Sequence, residues 1–122
     1  MAQKLEKLCN KLTILRRMGA SVEDMIPVVE SYNGNDWKDY KKFCEKGYQR
    51  NRIYIDDHIE VLILCWNSKQ TSGVHDHPTN GCILKVLQGS LTEEIWTMTA
   101  EKPIKTTEHE SAIGTISFQK GK

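Results

Sequence analysis

The sequence predicts a mainly β protein with helices at its N-terminus, an α+β fold. Two observations support this prediction. Apolar residues in the first part of the chain recur at helical spacing, and from residue 48 onward short apolar runs alternate with turn residues. A length of 122 residues suits a single domain. We therefore expect a helical part over residues 1–47, followed over residues 48–122 by short strands of an antiparallel sandwich or barrel.

The first predicted helix covers residues 2–18. Its apolar residues follow i, i+3, i+4, i+7 spacing, its basic residues lie off that stripe, and Gly19 is a natural C-terminal stop. A basic amphipathic N-terminus is also typical of organelle-targeting segments, but Glu6 and the scarcity of serine argue against that reading. We therefore interpret residues 2–18 as a structural helix.

Two further helices are predicted before residue 48. Ser21 and Asp24 form an approximate capping box at the start of the second helix. Pro27 lies beyond the first turn and is expected to kink that helix, because proline lacks a backbone N–H. A third helix is expected to begin at Asn35 or Asp36 and to end at Gly47.

The rest of the chain predicts strands separated by turns. Residues 59–66 are nearly continuously apolar, as expected of a strand covered on both sides. The stretch 88–90 is predicted to be a tight hairpin turn between the strands that flank it. The predicted strands are 52–56, 59–66, 74–77, 82–87, 91–98, 104–107 and 114–118.

Composition excludes several classes of function. The net charge of +1, with interspersed lysines and glutamates, argues against partners bound through bulk charge, so we expect no nucleic acid and no membrane. No apolar run approaches the roughly 20 residues that span a bilayer. The four cysteines have no framework spacing and no CxxC pair, which predicts reduced thiols and a cytoplasmic location.

The sequence His75-Asp76-His77 is the strongest candidate for a chemical site. Residues i and i+2 of a strand point to the same face, so His75 and His77 can bind one metal ion while Asp76 points away. Without further context, two histidines at a strand edge are often only surface polar residues. The residues around them decide between these readings.

His75-x-His77 is followed after four residues by Cys82 and after six more by Gly89. This is the spacing of the first metal motif of the cupin barrels, with Cys82 where a glutamate ligand is usual. That substitution makes the chain resemble the cysteine dioxygenases. The resemblance extends over nearly the whole chain, and its matching segments include Tyr48-Gln49-Arg50-Asn51, Leu64-Cys65-Trp66, residues 85–93, and the aromatic residues Trp37 and Tyr40.

The resemblance implies a cupin jelly-roll barrel and an iron(II)-dependent addition of dioxygen to the thiol of L-cysteine, giving 3-sulfinoalanine in cysteine catabolism and the taurine pathway. His75 and His77 match two ligands of one mononuclear Fe(2+) per subunit, a metal that imidazoles suit. Arg50 matches the arginine that pairs with the substrate carboxylate, and Tyr48 lies beside the substrate. Cys82 matches the cysteine that forms a thioether with a tyrosine. Taken alone, Cys82 and Arg50 would be a buried thiol and a surface charge.

The chain departs from the family pattern in two places. Gly81 stands where many animal members have a histidine. The third histidine ligand and the crosslinking tyrosine would follow the segment that 114–118 resembles, and neither is present before Lys122. We therefore expect a C-terminally short domain over residues 1–122, helical in 1–47, with the first part of the barrel in 48–122. His109 does not match the third-ligand segment.

Three functions are therefore compatible with the sequence. The first is a cysteine dioxygenase, monomeric, with L-cysteine and dioxygen as its small-molecule substrates. The second is a catalytically inactive cupin that binds a metal or a partner. The third is a dioxygenase of another small thiol such as 3-mercaptopropionate, against which Arg50 and Cys82 argue. The adjacent Glu93 and Glu94 receive no catalytic role.

Overall fold

The computed structural model describes residues 3–72 and 80–119. Four helical segments come first and six strands follow. The helical segments are α1 (Gln3–Arg17), a 3-10 turn (Glu23–Met25), α2 (Ile26–Ser31) and a second 3-10 helix (Asp36–Tyr40). The strands are β1 (Gln49–Ile55), β2 (Glu60–Cys65), β3 (Cys82–Lys85), β4 (Ser90–Met98), β5 (Pro103–Ala112) and β6 (Ile116–Gln119). The expected order of helices before strands is confirmed.

Helix α1 packs its apolar stripe into the best-buried part of the described chain. Leu5, Cys9 and Leu12 are buried, as the helical spacing requires. The helix is followed by Gly19 at a φ of +94°, a left-handed conformation that favours glycine at a helix end. The predicted helix and its stop are both confirmed. Within the described ranges, no helix is long and apolar enough to cross a membrane.

The capping box at Ser21 forms as predicted. The Ser21 N–H donates to Asp24 Oδ2 and the Asp24 N–H donates to Ser21 Oγ, both at 3.1 Å. Pro27 occupies the first turn of α2, where its missing N–H leaves no hydrogen bond unmade. The second helical region is therefore a 3-10 turn joined to a short α-helix rather than one kinked helix.

The third predicted helix is wrong in its length and type. Only Asp36–Tyr40 is helical, with 3-10 geometry, and Cys44 forms an isolated antiparallel bridge with Gly47. The Asn51 side-chain amide donates to the backbone carbonyls of Tyr40, at 3.0 Å, and of Lys42, at 3.1 Å. These contacts with a distant strand satisfy carbonyls at the point where the helix would continue.

The strands form three antiparallel pairs, β1 with β2, β3 with β6, and β4 with β5. The predicted hairpin turn at 88–90 is therefore wrong, because β3 and β4 belong to different pairs. Hydrogen bonds from the Val86 N–H to the Thr115 carbonyl and from the Gly114 N–H to the Val86 carbonyl continue the β3–β6 ladder past Lys85. The observed hairpin joins β4 to β5 through residues 99–102.

Most of the predicted strands are confirmed, with shifted ends. Strand β5 is longer than predicted, and it carries the bulge that shifts the register with β4 between Ile95 and Trp96. The predicted strand 74–77 lies outside the described residues.

Two side chains make long-range contacts with the ends of the α-helices. One joins α2 to strand β3, and the other joins α1 to the second 3-10 helix. The Lys85 ammonium on β3 donates to carbonyls at the C-terminal end of α2, those of Val29, Glu30 and Tyr32, at 3.4, 2.9 and 2.6 Å. The Asp36 carboxylate accepts the Leu5 N–H at 2.8 Å and so caps the first turn of α1. Charged side chains thus satisfy backbone groups at the ends of both α-helices.

Candidate functional site

Three of the five predicted site residues lie in the described part of the chain. Tyr48 immediately precedes β1, Arg50 is the second residue of β1, and Cys82 is the first residue of β3. The other two, His75 and His77, lie outside the described residues. Their role as metal ligands therefore stays a prediction.

Tyr48 is held in place by an aromatic stack. Its ring lies 5.2 Å from that of Trp66, centroid to centroid, with the planes 10° apart. The stack continues the β1–β2 ladder, in which Gln49 pairs with Cys65 and Arg50 with Leu64. Stacking of this kind stabilises by about 0.5–1.5 kcal/mol beyond the buried area. Trp66 thus packs against Tyr48, whereas Trp96 on β4 is 38% exposed.

Asn51 fixes the position of β1 on the side of the 3-10 helix. Besides the two carbonyls, its amide nitrogen lies 3.7 Å from the sulfur of Cys65, which is buried. An open pocket of about 350 Å³ lies at this point, lined by Asp39, Tyr40, Lys41, Lys42 and Asn51. The pocket contains none of the predicted site residues.

Arg50 lies near enough to Cys82 for its charge to act on the Cys82 thiol, although the two residues are far apart in sequence. Burial raises the pKa of the Cys82 thiol, the positive charge of Arg50 lowers it, and the negative charge of Glu93 raises it, with a net upward shift. All four cysteines of the chain are free, as predicted, and Cys82 is partly buried. Strands β1, β3 and β4 thus each contribute one of these three residues to one neighbourhood.

Glu93 is the member of this cluster that sequence reasoning missed. Its side chain is only 17% exposed, and its Oε2 accepts a hydrogen bond from Ser117 Oγ at 3.0 Å. The signal was present in the alternation of β4, because Glu93 shares a strand face with Leu91 and Ile95. Burying a carboxylate on the apolar face of a strand costs free energy unless the carboxylate is paired. The position of Glu93 therefore indicates that it has a partner in the fold.

His109 reaches the same carboxylate from β5. Its Nε2 lies 3.3 Å from Glu93 Oε2, and the two residues are directly opposite each other in the β4–β5 register. The His109 side chain is 50% exposed. The histidine that sequence reasoning left without a role is therefore a partner of Glu93.

The case for a bound metal rests on residue types and not on the geometry of the described residues. Two neutral imidazoles are suitable ligands for ferrous iron, so His75 and His77 fit this metal in their chemistry. Among residues 3–72 and 80–119, no three His, Cys, Asp or Glu side chains lie close enough to hold a metal ion.

Comparison with known proteins is consistent with this arrangement. The family model described as "Cysteine dioxygenase type I" matches residues 2–116. The chain is 33% identical over 100 residues to cysteine dioxygenase type 1 of Bos taurus, covering 76% of this chain and 50% of the relative. It is 35% identical over 98 residues to that of Danio rerio, covering 77% and 49%, and 32% identical over 100 residues to that of Homo sapiens, covering 76% and 50%.

The chain spans about half the length of the curated relatives it matches. The family model, by contrast, matches almost the whole of it. The family model and the relatives lead to one conclusion. The chain belongs to the cysteine dioxygenase type I family.

Proposed function

We propose that this protein takes part in the dioxygenation of the thiol of L-cysteine to 3-sulfinoalanine, a step of cysteine catabolism that leads toward taurine. One observation carries the proposal. The charge of Arg50, the residue proposed to bind the substrate, acts on the thiol of Cys82, the residue that matches the thioether position. Membership of the family supplies the reaction.

The proposed role of Arg50 is to bind the substrate carboxylate. A guanidinium can donate two parallel hydrogen bonds to a carboxylate, which fixes the orientation of a small amino acid as well as its position. Arg50 is exposed on β1, so a dissolved ligand can approach it. Tyr48, stacked on Trp66 at the start of the same strand, is proposed to lie beside that ligand.

The proposed metal is one ferrous ion, which His75 and His77 would hold. When bound, it would supply a coordination centre for the substrate thiolate and for dioxygen. The protein's own part is to orient the thiol and to keep the carboxylate end away from the metal. Because the thiolate is the species that is oxidised, charged residues near the site influence the reaction.

We also propose that residues 48–122 form the first part of a cupin barrel and that residues 1–47 form its helical N-terminal part within a single domain. The observed antiparallel pairs support this, since cupin barrels are built of antiparallel strands. We propose in addition that the protein is a monomer and that it is located in the cytoplasm.

The test is to reconstitute the purified chain with ferrous iron and to measure oxygen uptake and sulfinate formation with L-cysteine. The matched variant is His75→Ala, which removes one proposed ligand, and His58→Ala is the control because His58 is exposed in the β1–β2 turn. We expect cysteine-dependent uptake in the unaltered chain and in His58→Ala, with loss of iron and uptake in His75→Ala.

Each alternative predicts a different result. An iron-loaded chain that consumes no oxygen with any thiol, but loses metal in His75→Ala, would be a metal-binding protein without this activity. A higher kcat/KM for 3-mercaptopropionate than for L-cysteine would instead assign the protein to another small thiol.

A further inference from the structure

Glu93 connects two strand pairs at the point where Cys82 lies. In the β3–β6 pair, Cys82 and Leu84 point to the same face, and Ser117 stands directly opposite Leu84 on that face. Glu93 belongs to the β4–β5 pair and accepts the Ser117 hydroxyl at 3.0 Å. The carboxylate therefore crosses from one strand pair to the face of the other that carries Cys82.

The position of this carboxylate is defined from two directions. Ser117 donates to Oε2 from β6, and His109 Nε2 lies 3.3 Å from the same oxygen across the β4–β5 ladder. With 17% of its side chain exposed, Glu93 is the least solvated partner of the pair it forms with His109, which is 50% exposed. A carboxylate fixed in this way acts on its neighbours with little screening by water.

We propose that Glu93 is a positioning residue, a fixed negative charge beside Cys82 that opposes Arg50 and keeps the Cys82 sulfur in its thiol form. In the part of the chain that the structure describes, the charged groups that act on Cys82 are Arg50 from β1 and Glu93 from β4, with His109 of β5 facing Glu93. Burial is the largest effect and raises the pKa of the thiol, Arg50 lowers it, and Glu93 raises it.

The charge of Glu93 bears on the oxidation of Cys82, and this part of the inference rests on the proposed function. Oxidation begins from the thiolate rather than the thiol. A neighbouring anion that disfavours the thiolate of Cys82 protects the protein's own sulfur, while the substrate thiol is the one to be oxidised.

The test measures the acidity of Cys82 directly. Iodoacetamide alkylates the thiolate, so the alkylation rate between about pH 7 and pH 10.5 follows the titration of the thiol. Trypsin cleaves after Lys69 and Lys85 and releases residues 70–85, which contain Cys82 as their single cysteine, so mass spectrometry reports this residue alone. The full chain is used, without iron or oxygen.

Three variants separate charge from structure. Glu93→Gln removes the charge but keeps an oxygen that can accept from Ser117, and Glu93→Asp keeps the charge. Glu94→Gln is the matched control, because Glu94 is the next residue, is 42% exposed and pairs with Lys105 instead. Loss of the Glu93 charge should lower the midpoint of the thiol titration.

We expect Glu93→Gln to be alkylated at Cys82 about 3- to 10-fold faster than the unaltered protein at pH 8.5, with a lower midpoint. Glu93→Asp should restore the slow rate, and Glu94→Gln should leave it within about twofold. An unchanged midpoint in Glu93→Gln, or an equal shift in Glu94→Gln, would overturn the proposal. If Glu93→Gln does not fold, Ser117→Ala decides: a faster rate supports the proposal and a rate equal to the unaltered protein's contradicts it.

This result does not depend on the outcome of the oxygen-uptake assay. A chain that takes up no oxygen but shows the Glu93 effect would lose the proposed function and keep this inference. A chain that oxidises cysteine while Cys82 ignores Glu93 would do the reverse.

Discussion

Thr13 and Asp56, 43 residues apart, are joined by a hydrogen bond of 2.5 Å from the buried threonine hydroxyl to the carboxylate Oδ2. The same carboxylate accepts the Tyr54 hydroxyl at 2.6 Å and the N–H groups of His58 and Ile59 at 2.7 and 2.9 Å. One side chain thereby fixes the β1–β2 turn and attaches it to α1. The hydrogen bonds from Thr13 and Tyr54 hold the pKa of Asp56 well below its usual range.

The first prediction concerns the stability of the fold in acid. Because the folded pKa of Asp56 is depressed, its contribution is fully present above the unfolded value of about 3.9 and is lost as the pH falls below it. Asp56→Asn should therefore lower the melting temperature at pH 7 and weaken the loss of stability between about pH 5 and pH 2. Thermal unfolding followed by circular dichroism across this range measures both effects.

Asp57→Asn is the control, because Asp57 is its neighbour in sequence and is exposed. The Asp36 carboxylate also titrates in this window. Burial opposes its ionisation, but hydrogen bonds from Tyr32 and the Leu5 N–H lower its pKa overall, so some acid dependence should persist in Asp56→Asn. Equal melting temperatures for Asp56→Asn and Asp57→Asn at pH 7 would contradict the assigned role.

Lys85 is predicted to stabilise the contact between β3 and the end of α2. Its ammonium donates to three carbonyls at the C-terminal end of the helix, of which that of Val29 also accepts the Tyr32 N–H, and it complements the negative end of the helix dipole. Lys85→Met keeps most of the side-chain volume and should lower the free energy of unfolding by roughly 1–2 kcal/mol. Urea denaturation measures this change, and Lys102→Met, at an exposed turn position, should change it by less than about 0.5 kcal/mol.

Gly81 is predicted to tolerate no side chain. Its φ is +109°, and a Cβ built there would lie 2.6 Å from Cε1 of Phe118, on the paired strand β6. Gly81→Ala should therefore cost more than the roughly 1–2 kcal/mol of a left-handed alanine alone. Gly114→Ala provides the comparison, because its φ is +90° and nothing lies within 4 Å of its Cβ position. If both variants unfold at the same denaturant concentration, the contact with Phe118 has no energetic weight.

Arg50 is predicted to set the affinity for the substrate carboxylate. Arg50→Lys keeps the charge but loses the paired donors, so KM for L-cysteine should rise roughly tenfold or more in the iron-loaded chain. Arg52→Lys, on the same strand and paired with Glu60 at 3.1 Å, is the matched control. Cysteamine lacks the carboxylate, so Arg50→Lys and the unaltered protein should oxidise it equally well. A similar KM for L-cysteine in Arg50→Lys and in the unaltered protein would contradict the proposed role of Arg50.

Local chemistry explains the parts of the fold that the sequence predicted correctly. The apolar stripe of α1, the glycine after it and the reciprocal bonds of Ser21 with Asp24 depend on residues within one or two helical turns. Alternation likewise placed the strands, since it reflects the two faces of a strand. These features were recognisable because the interacting groups are neighbours in the sequence.

The errors arose where the partner was distant. The third helix stopped early at carbonyls that Asn51 binds from β1. The turn at 88–90 joined no hairpin because β3 found its partner in β6, beyond β4 and β5. A glycine-containing turn identifies a change of direction, but it does not tell which strand will satisfy the backbone on either side.

For the candidate site, the sequence alone determined the family, through His75, His77, Cys82 and Arg50 at fixed offsets. Only the tertiary structure decided that the charges of Arg50 and Glu93 act on the Cys82 thiol and that Glu93 contacts Ser117 and His109. The physical reason is that residue types and spacing are written in the chain, whereas the electrostatic surroundings of a thiol depend on which strands pair.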